Sequence, residues 1–183
     1  MNFTPALASR IRMLAGISLL GLLAACSTID RGNSPNLVKD ASWAVLPFEN
    51  HTETPMAGNR AESIATALLQ ARGVNSVKRY TGNAQQETLF DGQNIKRRED
   101  ALAWARSEGV RYALLGAVDE WRYKVGVDGE PAVGVALEIV DINEGKTIWS
   151  GTGGKSGWSR EALAAVGQKL IRDLLGTGIA NAR

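Results

Sequence analysis

Cysteine and histidine each occur once in 183 residues, at Cys26 and His51. A disulfide within the chain is therefore excluded, and so is a histidine-rich or cysteine-rich metal centre, so no cofactor is expected. Excess charge is equally scarce: 21 Lys and Arg stand against 19 Asp and Glu, a formal net of +2. Two of those cations, Arg10 and Arg12, lie in the first 25 residues, which contain no acid. The remainder carries 19 basic against 19 acidic residues. A nucleic-acid partner leaves a basic footprint, and none is present. Long apolar runs are missing too. Met13–Ala24 spans only 12 residues, short of the roughly 20 that a membrane-spanning helix needs.

That short run has the flanks of a secretory signal. Arg10 and Arg12 precede it, and Leu23-Ala24-Ala25 places small residues just before Cys26. Residues 1–25 are expected to be a signal peptide. Leu23-Ala24-Ala25-Cys26 resembles the lipobox of bacterial lipoproteins, which implies cleavage before Cys26 and acylation of its thiol and freed amine. Several acyl chains, at about 0.8 kcal/mol per buried CH₂, anchor far better than one. Position 27 is serine rather than the aspartate typical of inner-membrane retention. By resemblance to sorted lipoproteins, the expected address is the periplasmic face of the outer membrane.

Residues 26–41 read as a lipidated tether: Ser27 to Asp40 is polar and turn-rich. Its fourteen residues reach about 45–50 Å when fully extended. Residues 42–183 suffice for one α/β domain. Trp43-Ala44-Val45-Leu46-Pro47-Phe48 is the apolar run of a buried strand. Thr54-Pro55 opens a helix in which Ala57, Ala61, Ile64, Ala65, Leu68 and Leu69 keep helical spacing up to Gly73. Ser76–Thr81 is a short strand, residues 82–96 the longest loop, and Arg98–Glu108 a helix. Strands are expected at Arg111–Lys124, Pro131–Ile142 and Lys146–Thr152, joined by hairpin signals at 127–130 and 143–145. From about Ser159 a last helix carries Leu163, Val166, Leu170, Ile171 and Leu174 in one stripe. The order is β-α-β-α-β-β-β-α, a mixed sheet of about five strands packed with helices.

Trp43-Ala44-Val45-Leu46-Pro47-Phe48-Glu49-Asn50 resembles the opening strand of the TolB N-terminal, CsgG and LpoB group of envelope proteins. Tyr112-Ala113-Leu114-Leu115-Gly116-Ala117-Val118 and Leu137-Glu138-Ile139-Val140-Asp141 fit the same pattern. More narrowly, Asp119-Glu120-Trp121-Arg122-Tyr123-Lys124, Gly129-Glu130-Pro131-Ala132-Val133-Gly134-Val135 and Ile148-Trp149-Ser150-Gly151 through Gly157-Trp158 resemble the PelC family. The resemblance covers roughly residues 42–176. It implies a closed homo-oligomeric ring under the outer membrane that guides a cationic exopolysaccharide to a porin, in biofilm formation. The alternative from the wider group is a CsgG-like or LpoB-like lipoprotein, acting in protein secretion or as activator of a cell-wall synthase. A CsgG-like pore needs two spanning strand pairs, and the hairpin joints leave too little chain. An LpoB-like activator must reach across the periplasm, which a 14-residue tether does not favour.

No constellation marks an enzyme. His51 has no Ser/Asp partner at any motif spacing, and Gly151-Thr152-Gly153-Gly154-Lys155-Ser156 has the wrong glycine spacer for a phosphate loop. Trp43 and Trp104 fit core patterns. Trp149 alternates with Ile148 on a strand, so one of the two faces outward. Trp158 sits in a glycine-rich loop beside Lys155, where a core anchor and a membrane-interface ring are the competing readings; Trp158 and Trp149 are the interface candidates. Asp119, Glu120, Asp128 and Glu130 gather around one hairpin, interrupted by Arg122 and Lys124. Such charges are ordinarily a solvated face. Repeated around the ring that the resemblance implies, their potentials add, and they become the candidates for guiding the polysaccharide.

Overall fold

The computed structural model describes residues 27–38, 40–80, 82, 91–126 and 129–179. The expected signal peptide (1–25) and Cys26 lie outside the described residues, as does Asp128. The strands are β1 (Ser27–Arg31), β2 (Trp43–Val45), β3 (Glu49–Asn50), β4 (Val77–Arg79), β5 (Tyr112–Tyr123), β6 (Pro131–Asp141) and β7 (Lys146–Ser156). The helices are α1 (Ala57–Ala71), α2 (Asp91–Ser107) and α3 (Leu163–Gly178). They form a mixed α/β fold on one seven-stranded sheet in the order β1-β7-β6-β5-β2-β4, with β3 also pairing β5. β2 runs parallel to β4 and β5, and β3 parallel to β5. The β5–β6–β7–β1 half is antiparallel.

Each face of the sheet has its own core. On one, α1 and α3 cover Trp43, Val45, Leu114, Val118, Trp121, Val133, Val135, Leu137, Ile139 and Trp149. The α3 stripe of Val166, Leu170, Ile171, Leu174 and Leu175 is fully buried there. At about 25 cal/mol per Å² of apolar surface, this is the larger source of stability. On the other face, the small side chains Ala101 and Ala105 bring α2 close to Leu46, Leu115, Val140 and Ile142. Trp104 is half-buried at the margin of that cluster, edge-on to Tyr80 at 5.3 Å. Two irregularities set which side chains face inward. The β5–β6 register shifts between Val118 and Glu120, so Val118 and Trp121, three residues apart, reach the same core. A second shift at Ile139/Val140 pairs Trp149 with Ile139 and Thr147 with Val140.

Several expected boundaries move. Ser27–Arg31, read as tether, is an edge strand on β7, and Leu37 is core. Thr54-Pro55 do not cap α1: Met56 takes that place at φ 59°, without a side-chain cap. The Thr54 hydroxyl instead donates to the Trp121 carbonyl. Helix α2 begins at Asp91, within the expected loop. β7 continues to Ser156 through Gly153 and Gly154, and α3 starts at Leu163 rather than near Ser159. Among the described residues no helix is long and apolar enough to cross a membrane.

Candidate functional site

The antiparallel half of the sheet has two ends, and one collects most of the candidates. β5 finishes there at Tyr123, β6 starts at Pro131, β7 finishes at Ser156, and β1 starts at Ser27 opposite Lys155. Cys26 is the residue before Ser27, and consecutive Cα atoms are about 3.8 Å apart.

Trp158 projects from this end and is 70% exposed. It does not ride on a loose glycine loop. The Gly157 N–H donates to the Pro131 carbonyl at 2.8 Å, and the Glu161 N–H to the Trp158 carbonyl at 2.9 Å. The Glu161 carboxylate accepts from the Trp158 N–H and from Lys169 Nζ. Those two bonds, the lysine's first, hold the Glu161 carboxyl below the usual range. The Tyr123 hydroxyl donates to the Glu161 carbonyl and accepts from the Leu163 N–H, both at 3.2 Å. Arg160 completes the turn at φ 68°, a left-handed conformation that costs a non-glycine residue about 1–2 kcal/mol. A tight, strained turn thus presents an indole to solvent. Trp149 is the opposite case and corrects the expectation of an interface role. It is 3% exposed, in the core of α3. An added Cβ on Gly178 would meet its ring at 3.1 Å. Parity alone left the choice between Ile148 and Trp149 open, and the register shift in β7 turns Trp149 inward.

The structure separates the hairpin acids more than their clustering suggests. Asp119 sits at the β5 irregularity and accepts from His51 Nδ1 at 2.9 Å, while Glu49 faces His51 Nε2 at 3.1 Å. Glu120 pairs with Arg122 at 3.0 Å and Glu130 with Lys124 at 3.6 Å. Each described acid of the hairpin therefore has a cationic or ionisable neighbour. Only the histidine site keeps a negative surplus, two carboxylates around one imidazole. Its hydrogen bond to Asp119 raises the His51 pKa above the ordinary value, against partial burial, with Glu49 adding to the rise. No hydroxyl or thiol is bonded to this imidazole among the described residues, and no group of His, Cys, Asp and Glu there could hold a metal ion.

Sequence reasoning missed Glu49 and the face it belongs to. Strand register places Glu49, Ala117, Ala136, Thr152 and Asp30 in one row across β3, β5, β6, β7 and β1. Small side chains floor an open trough of about 500 Å³, with Glu49 and Asp30 at the ends of the row. Arg98 of α2 closes one side through its pair with Glu138 at 2.5 Å. No local motif announces this row, because it exists only once five strands are in register.

No family profile matches the chain, and neither does any curated protein. Solved structures do. The PelC dodecamer from Paraburkholderia phytofirmans is 41% identical, covering 86% of this chain and 99% of that one, with a TM-score of 0.72. A single-substitution variant of that dodecamer matches equally, at 41% identity with a TM-score of 0.73. A lipoprotein from Neisseria meningitidis shares the fold, at 21% identity over 78% of this chain and 99% of that one, with a TM-score of 0.52.

Proposed function

Because the chain belongs to the PelC family, we propose that it is an outer-membrane lipoprotein for export of a Pel-type exopolysaccharide. In this reading the precursor is cleaved before Cys26, acylated there, and assembled into a closed ring on the periplasmic face. The ring guides a cationic polymer towards an export porin during biofilm formation. One observation carries the proposal: 41% identity to dodecameric PelC across 99% of that chain. A head-to-tail interface that failed to close would build filaments, so a cyclic assembly is the form expected of a soluble product.

Two features of the molecule support the parts assigned to its surface. Trp158 is exposed at the end where Ser27 begins, which suits an amphipathic ring among lipid headgroups. Asp119 and Glu49 share one histidine, so each subunit adds negative charge even with His51 protonated. Summed over a lumen, such charges raise the local concentration of a cationic chain. Glu120 and Glu130 contribute less, being matched by Arg122 and Lys124. The activator reading from the wider group is disfavoured by β1, which leaves no spare chain between the anchor and the domain. Sedimentation of the purified protein tests the assembly. A single large species across micromolar concentrations is expected, and a monomer throughout that range refutes the ring.

A further inference from the structure

The two faces of the sheet are unequally covered. On one, α1 and α3 pack against the sheet and against each other. On the other, α2 packs alone, against Leu46, Leu115, Val140 and Ile142. Among the described residues no helix lies over the row of Ala117, Ala136 and Thr152, so the trough beside α2 has the place that a second helix would fill. Ile95 stands one turn before Arg98, on the side of α2 that borders the trough, and is 62% exposed. Asp30, at the β1 end of the row, has no ion pair among the described residues.

A helix that fits there must present small side chains to the floor and a cation to Asp30. The outer face of α1 does both. Met56, Arg60, Ser63 and Ala67 follow at helical spacing, form one stripe, and are all exposed. The Arg60 side chain has no ion pair among the described residues. Met56 is 51% exposed and held at φ 59°, a conformation uncommon enough for a bulky residue to call for a use. The dimensions agree as well. From Arg60, Ser63 lies about 4.5 Å and Ala67 about 10.5 Å along the helix axis. From Asp30, Thr152 lies one strand away and Ala136 two, which is about 4.8 Å and about 9.6 Å. Stripe and trough lie on opposite sides of the same sheet, so one molecule cannot join them. Successive copies can, head to tail, as a cyclic assembly requires.

We infer that the outer stripe of α1 docks in the trough of a second copy of this chain. Arg60 pairs with that copy's Asp30, and Ser63 and Ala67 lie over its Thr152 and Ala136. Met56 then passes the β1 edge, and Ile95 flanks the seated helix. A second copy suits the trough better than a sugar chain, because its lining holds no aromatic ring on which a sugar could stack. The inference rests on the reading that the chain assembles into a closed ring, and assigns that ring its two surfaces.

Cross-linking tests it. The full chain, carrying Cys26→Ala so that no native thiol remains, receives Ser63→Cys together with Thr152→Cys and is purified in mild detergent. The two positions face away from each other across the sheet, so a short bismaleimide joins them only between copies. The expected result is a ladder of covalent multimers from the double variant and none from either single one. Arg60→Glu should remove the ladder, and Asp30→Arg in the same chain should restore it. Sedimentation of the same samples reports assembly separately. A large species without a ladder overturns the inference and leaves the ring reading intact, with the trough given to some other occupant. Covalent dimers from Ser63→Cys alone mean that the stripe meets its own copy, and also overturn it. A ladder indifferent to both charge reversals overturns the pairing of Arg60 with Asp30. Monomers from the unsubstituted chain remove the ring itself and the inference with it.

Discussion

Replacing Trp149 by alanine removes a ring that is 3% exposed and hemmed in by Gly151 and Gly178. Burial of this kind costs about 3–5 kcal/mol when truncated, because the surroundings collapse only partly. The indole N–H has no partner, so its removal relieves a small desolvation penalty and puts the loss near the lower limit, about 3 kcal/mol. For a domain of this size 1 kcal/mol moves the midpoint by about 2–4 °C, so Trp149→Ala should lower it by about 6–12 °C. Trp158 is 70% exposed, and surface substitutions stay within about 0.5 kcal/mol. Trp158→Ala should therefore shift the midpoint by no more than about 2 °C. The assay is thermal unfolding followed by circular dichroism, at one protein concentration because the proposed assembly would make the midpoint concentration-dependent. The same Trp158 variant should lose association of the oligomer with vesicles. A drop for Trp158→Ala as large as that for Trp149→Ala would mean the exposed indole is buried in the assembly, and its membrane role would fall. A neutral Trp149→Ala would refute the burial argument itself.

Gly167→Ala should lower the midpoint by about 2–12 °C, the range for about 1–3 kcal/mol of overpacking, since the added Cβ meets the Trp121 ring at 2.5 Å; an unchanged melt would show that Trp121 yields freely. The His51 pKa is raised on folding by Asp119 and Glu49, so its stabilising effect is complete below the unfolded value and fades as pH rises through the folded one. Between about pH 6 and 8 the wild type should lose more stability than His51→Gln, and parallel melting curves would contradict the clamp. Cys26→Ala should abolish palmitate labelling and release the protein from membranes; label retained on the variant refutes acylation at that residue. Asp119→Asn with Glu120→Gln should reduce polymer export without unfolding the domain, while export at the wild-type level would leave these acids as ordinary surface charge.

The sequence made some elements plain and hid others for physical reasons. The run from Trp43 and the strands β5, β6 and β7 were legible because burial imposes apolar continuity or alternation on them. β1 was hidden because an edge strand packs one face only: in Ser27–Arg31 Ile29 alone is apolar. The first two turns of α2 carry no apolar stripe, and Ile95 there is 62% exposed, so periodicity had nothing to report. At the site, the sequence left Trp158 open between a core anchor and an exposed ring, and the turn held by Glu161 and Tyr123 decides for exposure. The inward turn of Trp149 depends on a register shift that alternation cannot foresee. The joining of His51 to Asp119 depends on parallel pairing of β3 with β5, 68 residues apart.

The pairing of β1 with β7 also orders events in time. Ser27 meets Lys155, so the residues of the first strand wait for nearly the whole domain to be made before they have a partner. Local helices and the β5–β6–β7 meander form without that long closure, which is the slow kind of contact. Through that interval Ser27–Arg31 is an unpaired lead ahead of the domain. Closing the last strand takes up the slack. On the proposed acylation of Cys26, docking on the membrane and completion of the sheet become one step, and a chain whose sheet is unfinished is also one not yet seated at the bilayer.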